Sequence, residues 1–136
     1  MSNLNKKVIN NVWSKAKRLN PENDDFRLDI CGAIIRKDMY GRSDSIYGWT
    51  VDHVFPTCKM SSTEHKDELV NLQAINCLNN IAKGKNFPNF ECVVTSIGNQ
   101  NIRTKISQRI CEETLVKLCE YFPDIKDYLD ENKEIK

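Results

Sequence analysis

Two short β-like runs bracket a polar stretch in the middle of this chain. The first, Trp49 to Phe55, is stopped by Pro56, and the second, Leu69 to Ile75, leads into a segment free of proline and glycine until Gly84. Short runs rich in Trp, Val, Phe, Leu and Ile read as strands, and proline ends one because its ring fixes φ and it has no N–H to pair. Thr57 to Glu68 is polar and irregular, which predicts a surface loop of the length that in compact domains tends to serve function. Asn76 to Lys83 predicts a helix of about two turns. Strand, loop, strand, helix is the order around which the rest must be arranged.

The rest reads as scaffold. A chain of 136 residues is expected to form one domain over 1–136, large enough to bury a core without staples. Ile9, Val12, Trp13 and Ala16 share one helical face, and that helix should end before Asn20-Pro21, because a residue before proline avoids the helical region. ICGAIIR reads as a strand entering the turn-rich DMYGRSDSIYG, and Trp13 and Trp49 as core. ECVVTSI reads as a strand closed by Gly98-Asn99. Cys111, Leu115, Leu118, Cys119 and Phe122 draw a helical stripe, and Pro123 opens a short acidic helix carrying Ile125, Tyr128 and Leu129. The expected class is α+β, with an N-terminal helix and a C-terminal helical extension over about 100–136.

A net charge of +1 hides a gradient. Lys6, Lys7, Lys15, Lys17 and Arg18 stand without an acid among them, and Lys83, Lys85, Arg103, Lys105 and Arg109 face Glu91 alone. After residue 120 acids dominate. A polyanion could meet a locally basic face while the tail stays solvated. The start MSNLNKKVIN has no apolar signal region and no run approaches a membrane span, so a cytoplasmic protein is expected. The six cysteines form no CxxC pair, which predicts reduced, mostly buried thiols and no structural zinc. A zinc site from Cys58, His65 and Cys77 matches no standard spacing.

The chemistry gathers around Asp52 and His53. Neighbours on a strand point to opposite sides of the pleat, so they can flank a group lying across the strand end rather than ligate from one face. Asn76, Asn79 and Asn80 are each poorer helix formers than alanine by up to about 0.7 kcal/mol, and so ask for another use. On a helix Asn80 and Lys83 share a face; an amide oxygen suits a hard cation and an ammonium suits a phosphate. Asn79 lies about 100° round the helix and reads as a supporting or surface residue. His65, among Glu64, Lys66 and Asp67, reads as solvated.

The residues Y47-G48-W49-T50-V51-D52-H53-V54-F55-P56, N71-L72-Q73 and N79-N80-I81-A82-K83 together resemble the HNH endonucleases, the ββα-metal nuclease fold. The likeness extends over roughly residues 10 to 90, with a motif core of about 47–88. It implies that Asp52 and Asn80 bind one divalent cation, Mg²⁺ or Mn²⁺, and that His53 is the general base for the attacking water, an H-N-N variant of the motif. Asn71 would bridge the loop and hold the histidine's backbone, and Lys83 would touch a phosphate. Lys85, Arg36 and Arg42 are further candidates for nucleic-acid contacts. The chain departs from the pattern in two respects: the loop TCKMSSTEHKDE lacks the glycine pair common there, and the CxxC pairs of many members are missing.

The expected function is metal-dependent hydrolysis of DNA phosphodiester bonds, with RNA, a homodimer and a protein partner left open. The main alternative is a nucleic-acid-binding module of HNH shape with little or no cleavage activity, working with a larger partner. A third reading makes the helices expected at 104–122 and 124–135 an interaction surface.

Overall fold

The first helix begins where Asn5 can cap it. In the computed structural model, which describes residues 4–129, the Asn5 side chain accepts from Val8 N at 2.9 Å and α1 (Lys6–Lys15) follows. Its other end is satisfied by a buried arginine: Arg27 donates to Ser14 O at 3.1 Å and to Ala16 O at 2.7 Å, filling carbonyls that a helix terminus leaves without partners. The helix stops at Lys15, earlier than expected, because the next residues pair as strands instead. β1 (Lys17–Asn20), β2 (Asn23–Leu28) and β3 (Ile34–Arg36) form an antiparallel sheet in that order, with Pro21-Glu22 at the first turn.

The central unit follows. β4 (Trp49–His53) and β5 (Leu72–Asn76) pair antiparallel with Asp52 opposite Gln73 and His53 opposite Leu72. The chain enters β4 through Gly48, where a Cβ would lie 1.7 Å from the Arg42 carbonyl oxygen; only glycine lets the loop backbone pass so close. α2 (Cys77–Lys83) follows β5 without a break, capped by Asn76, whose side chain accepts from Leu78 N and Asn79 N. Gly84, at φ +52°, closes it.

The C-terminal part differs from its expected form. β6 (Asn89–Ile97) is the anticipated strand, but Gly98-Asn99 is a hairpin turn and not an ending, and β7 (Gln100–Arg109) pairs back along β6. The helical extension expected from about 100, and the helix from 104, are therefore corrected: α3 is Glu112–Cys119, and α4 (Lys126–Leu129) follows a single turn at Pro123–Ile125. The remainder of the last expected helix lies outside the described residues. Mixed α+β architecture with small antiparallel sheets is the result.

Two apolar clusters hold these pieces. Trp13 and Trp49, ring centroids 5.0 Å apart, join Val12, Ile35, Leu72 and Ala74 between α1 and the β4–β5 hairpin. Phe55, Phe87, Phe90, Leu115, Leu118 and Phe122 join the hairpin's far end to β6 and the C-terminal helices. Within the second, Cys31 and Cys92 are joined as a disulfide with Cα atoms 5.8 Å apart, which corrects the expectation of reduced thiols for this pair. Cys58, Cys77, Cys111 and Cys119 are free. Among the described residues no helix is long and apolar enough to cross a membrane.

Candidate functional site

Asp52 occupies the last turn of the β4 pleat on the side facing α2, where it is only 8 % exposed. Its Oδ2 accepts from Gln73 Nε2 at 2.9 Å, directly across the hairpin, and lies 3.1 Å from Lys83 Nζ. Lys83 is fully buried, and its ammonium also donates to the His53 carbonyl at 3.2 Å. The expected phosphate contact thus gives way to another position: Lys83 pins the strand end to the last turn of α2 and neutralises Asp52. A buried carboxylate demands such a partner, because an unpaired charge there would be several kcal/mol more costly, on the order of 3–5 kcal/mol.

His53 leaves the strand on the other side, half-buried. Its Nε2 meets Asp67 Oδ1 at 2.8 Å. A carboxylate accepts only, so the neutral ring carries its proton on Nε2 and Nδ1 is the nitrogen able to take another. Burial pushes the Asp67 carboxyl up, but the hydrogen bonds from Lys66 and His53 outweigh it and hold the group below the usual carboxylate range.

Asn71 is wholly buried and clamps the loop. Its Oδ1 accepts from Phe55 N at 2.7 Å, its Nδ2 donates to Lys66 O at 3.0 Å, and its own carbonyl accepts from Val54 N at 2.8 Å. One side chain therefore ties the residues just after His53 to the residue just before Asp67. Asn71 is a positioning residue: it fixes both ends of the His53–Asp67 pair.

The three asparagines of the helix separate by role. Asn76 caps α2 and donates to Ile46 O at 2.7 Å. Asn79 is fully buried, accepting from Val93 N and Val94 N at 2.8 and 2.9 Å and donating to Val94 O and Asp29 Oδ2. It welds α2 to β6 and is structural, more deeply placed than its supporting or surface reading. Asn80 is half-buried, one turn before Lys83 on the same stripe, and among the described residues its amide makes no hydrogen bond to the protein. It is the member of the trio with donor and acceptor atoms to offer.

Three contributors escaped the sequence reading. Gln73 orients Asp52, Asp67 orients His53, and Asp29 anchors the helix entrance by accepting from Asn76 N at 2.9 Å and Asn79 Nδ2 at 3.0 Å. Burial pushes the Asp29 carboxyl up, against these bonds and two more from Cys31 N and Ala33 N. Gln73 was signalled by its place opposite Asp52 once the hairpin register is drawn; Asp67 and Asp29 carried no local signal.

The basic candidates lie apart. Arg36 pairs with Asp38 at 3.0 Å, Arg42 makes two 3.0 Å bonds to Asp44, and Lys85 is exposed just past α2. His65, expected to be solvated, is half-exposed and reaches Glu68 Oε2 at 3.3 Å and the Tyr121 ring at 5.2 Å between centroids. Among the described residues no group of three or more His, Cys, Asp or Glu side chains gathers to hold a metal ion, so a cation here would rest on Asp52, the Asn80 amide and water. Compared with protein-family models, with curated proteins and with solved structures, the chain matches none.

Proposed function

We propose that this chain is a metal-dependent endonuclease of the HNH type, hydrolysing DNA phosphodiester bonds, with β4, β5 and α2 as its ββα-metal core. The observation that carries the reading is the 3.1 Å contact between Lys83 and Asp52. It brings the last turn of α2, which also carries Asn80, to the strand end that bears Asp52 and His53.

The donor set fits a hard divalent cation such as Mg²⁺ or Mn²⁺. Among the described residues the Asp52 side chain makes its contacts through Oδ2, so Oδ1 would be the oxygen for a ligand bond, and Asn80 would offer an amide oxygen. When bound, the cation would stabilise charge on the phosphate and the leaving oxygen. The chain's own residues do the rest. His53 Nδ1 accepts the proton of the attacking water, and Asp67 holds the ring in the tautomer for that task and offsets the imidazolium that forms. Asn71 keeps histidine and aspartate in register through the backbone on either side. Lys83 anchors the Asp52 side chain and the His53 carbonyl to the last turn of α2.

Plasmid nicking with Mg²⁺ or Mn²⁺ tests the reading. His53→Ala should lower the rate by about 10²–10⁴-fold; equal cutting by both proteins would remove His53 from the role of base. One feature favours the binding-module alternative: Asp52 already has a cation at 3.1 Å. DNA binding without product after prolonged incubation with metal would decide for that alternative.

A further inference from the structure

A cavity of about 640 Å³ opens between α1 and β1 on one side and β7 and α3 on the other. Its floor is aliphatic, with Val54 and Ile110 among the contributors, and its rim carries Lys15, Lys17, Arg109 and Lys117. Among the described residues the sole acid in its wall is Asp29, whose two oxygens are already occupied by four N–H donors and which is 7 % exposed. Four cations therefore surround one space with no available carboxylate in its wall.

The rim cations are not consumed elsewhere. Among the described residues Lys17 and Arg109 have no ion-pair partner, and Lys117 reaches Glu113 only at 3.6 Å on an open surface. Lys15 is fixed in place, its ammonium donating to Leu69 O and Leu72 O at 2.6 Å each. Burial, and then the neighbouring Lys117 charge, push Lys15 down to about 8. Like charges held together around a hollow are an unfavourable arrangement that an anion relieves.

The cavity also adjoins the candidate active site. Gln73 lines it and at the same time donates to Asp52, so a group held there lies one side chain from the proposed metal ligand. Lys83 is buried against Asp52 and cannot serve a substrate phosphate outside.

We infer that this cavity is an anion subsite for a phosphodiester of the nucleic-acid strand on which the site acts, contacted by Lys17, Arg109 and Lys117 within the field of Lys15. The inference rests on the nuclease reading for its choice of strand. A free phosphate or nucleotide shares the chemistry, and an acidic peptide is the competing occupant.

The test is metal-free binding of fluorescein-labelled single-stranded and duplex DNA by the full chain, followed by anisotropy over a range of salt. Lys17→Gln/Arg109→Gln/Lys117→Gln should weaken binding about 10-fold or more and flatten the log–log salt slope by about 2–3, since each phosphate contact contributes about 0.7–0.9. Lys6→Gln/Lys7→Gln/Lys126→Gln, the same charge change away from the cavity, should flatten it by less than about 1. Equal effects of the two triples would overturn the subsite, as would displacement of DNA by polyglutamate as effective as by unlabelled strand. Displacement by inorganic phosphate or a mononucleotide at matched phosphate concentration would reassign the cavity to a free ligand and overturn the strand contact. Thermal melting checks that the triple folds; Arg109→Gln alone should take about 1 from the slope, and no change there would count against the inference. His53-dependent cutting with unaltered binding in the triple sinks the subsite alone, whereas cavity-dependent binding without any cutting sinks the nuclease reading and leaves the subsite.

Discussion

The ammonium of Lys83 lies 3.1 Å from Oδ2 of Asp52, with the lysine fully buried and the aspartate nearly so. Removing one member strands the other. Lys83→Met should cost about 3–5 kcal/mol in urea unfolding, whereas Asp52→Asn with Lys83→Met should recover much of that loss. Equal losses in single and double variants would show that the two charges are not coupled.

Adjacent asparagines should behave oppositely. Asn79→Ala removes a buried amide that makes four hydrogen bonds and should lower stability by about 2–4 kcal/mol. Asn80→Ala should stay within about 0.5 kcal/mol of wild type while abolishing metal-dependent cutting. Thermal unfolding and the nicking assay together read both, and a stability loss at Asn80 matching that at Asn79 would contradict its assignment as an open ligand.

Asp67 is expected to act only through His53. Asp67→Asn should slow cleavage on the order of 10-fold and leave DNA affinity without metal unchanged. It should also have no effect in a His53→Ala background. A further loss in that background would separate the carboxylate from the histidine.

Lys15 supplies a pH signature. In the folded chain it is held at about 8, against 10.5 for an ordinary lysine. Between those values the unfolded chain binds more protons, so the Lys15 contribution to stability rises with pH there and is least favourable below about 8. Subtracting the unfolding free energy of Lys15→Met from that of wild type at successive pH values should give a difference that grows from pH 8 to 10.5. A flat difference would mean that the ammonium is not desolvated.

The central unit was legible because its signals are local. Alternating apolar residues, Pro56 and Gly84 mark β4 and α2 within a residue or two, whereas β5 starts three residues later than expected because Leu69–Asn71 form a single 3-10 turn. The shared face of Asn80 and Lys83 follows from the helix period, and Asn71 from the family resemblance alone. β7 was not legible because Arg103, Lys105, Ile106, Ser107 and Arg109 are all exposed; it is held by pairing with β6 and leaves no apolar face in the sequence. Asn79 was misjudged for a similar reason. Its partners, Asp29 and Val94, are far along the chain, and a helical wheel ranks a residue by its angle, not by what β6 and the Asp29 turn bring against it. Lys83 was read correctly in register but not in depth, since periodicity says which face a side chain takes and is silent on whether water reaches it.

The bond between Cys31 and Cys92 spans 61 positions and encloses Asp52, His53, Asn71, Asn80 and Lys83 within one covalent ring. A protease nick in the exposed loop between the two central strands would leave both fragments tethered. Such a cut chain would migrate intact until a thiol reductant freed its halves.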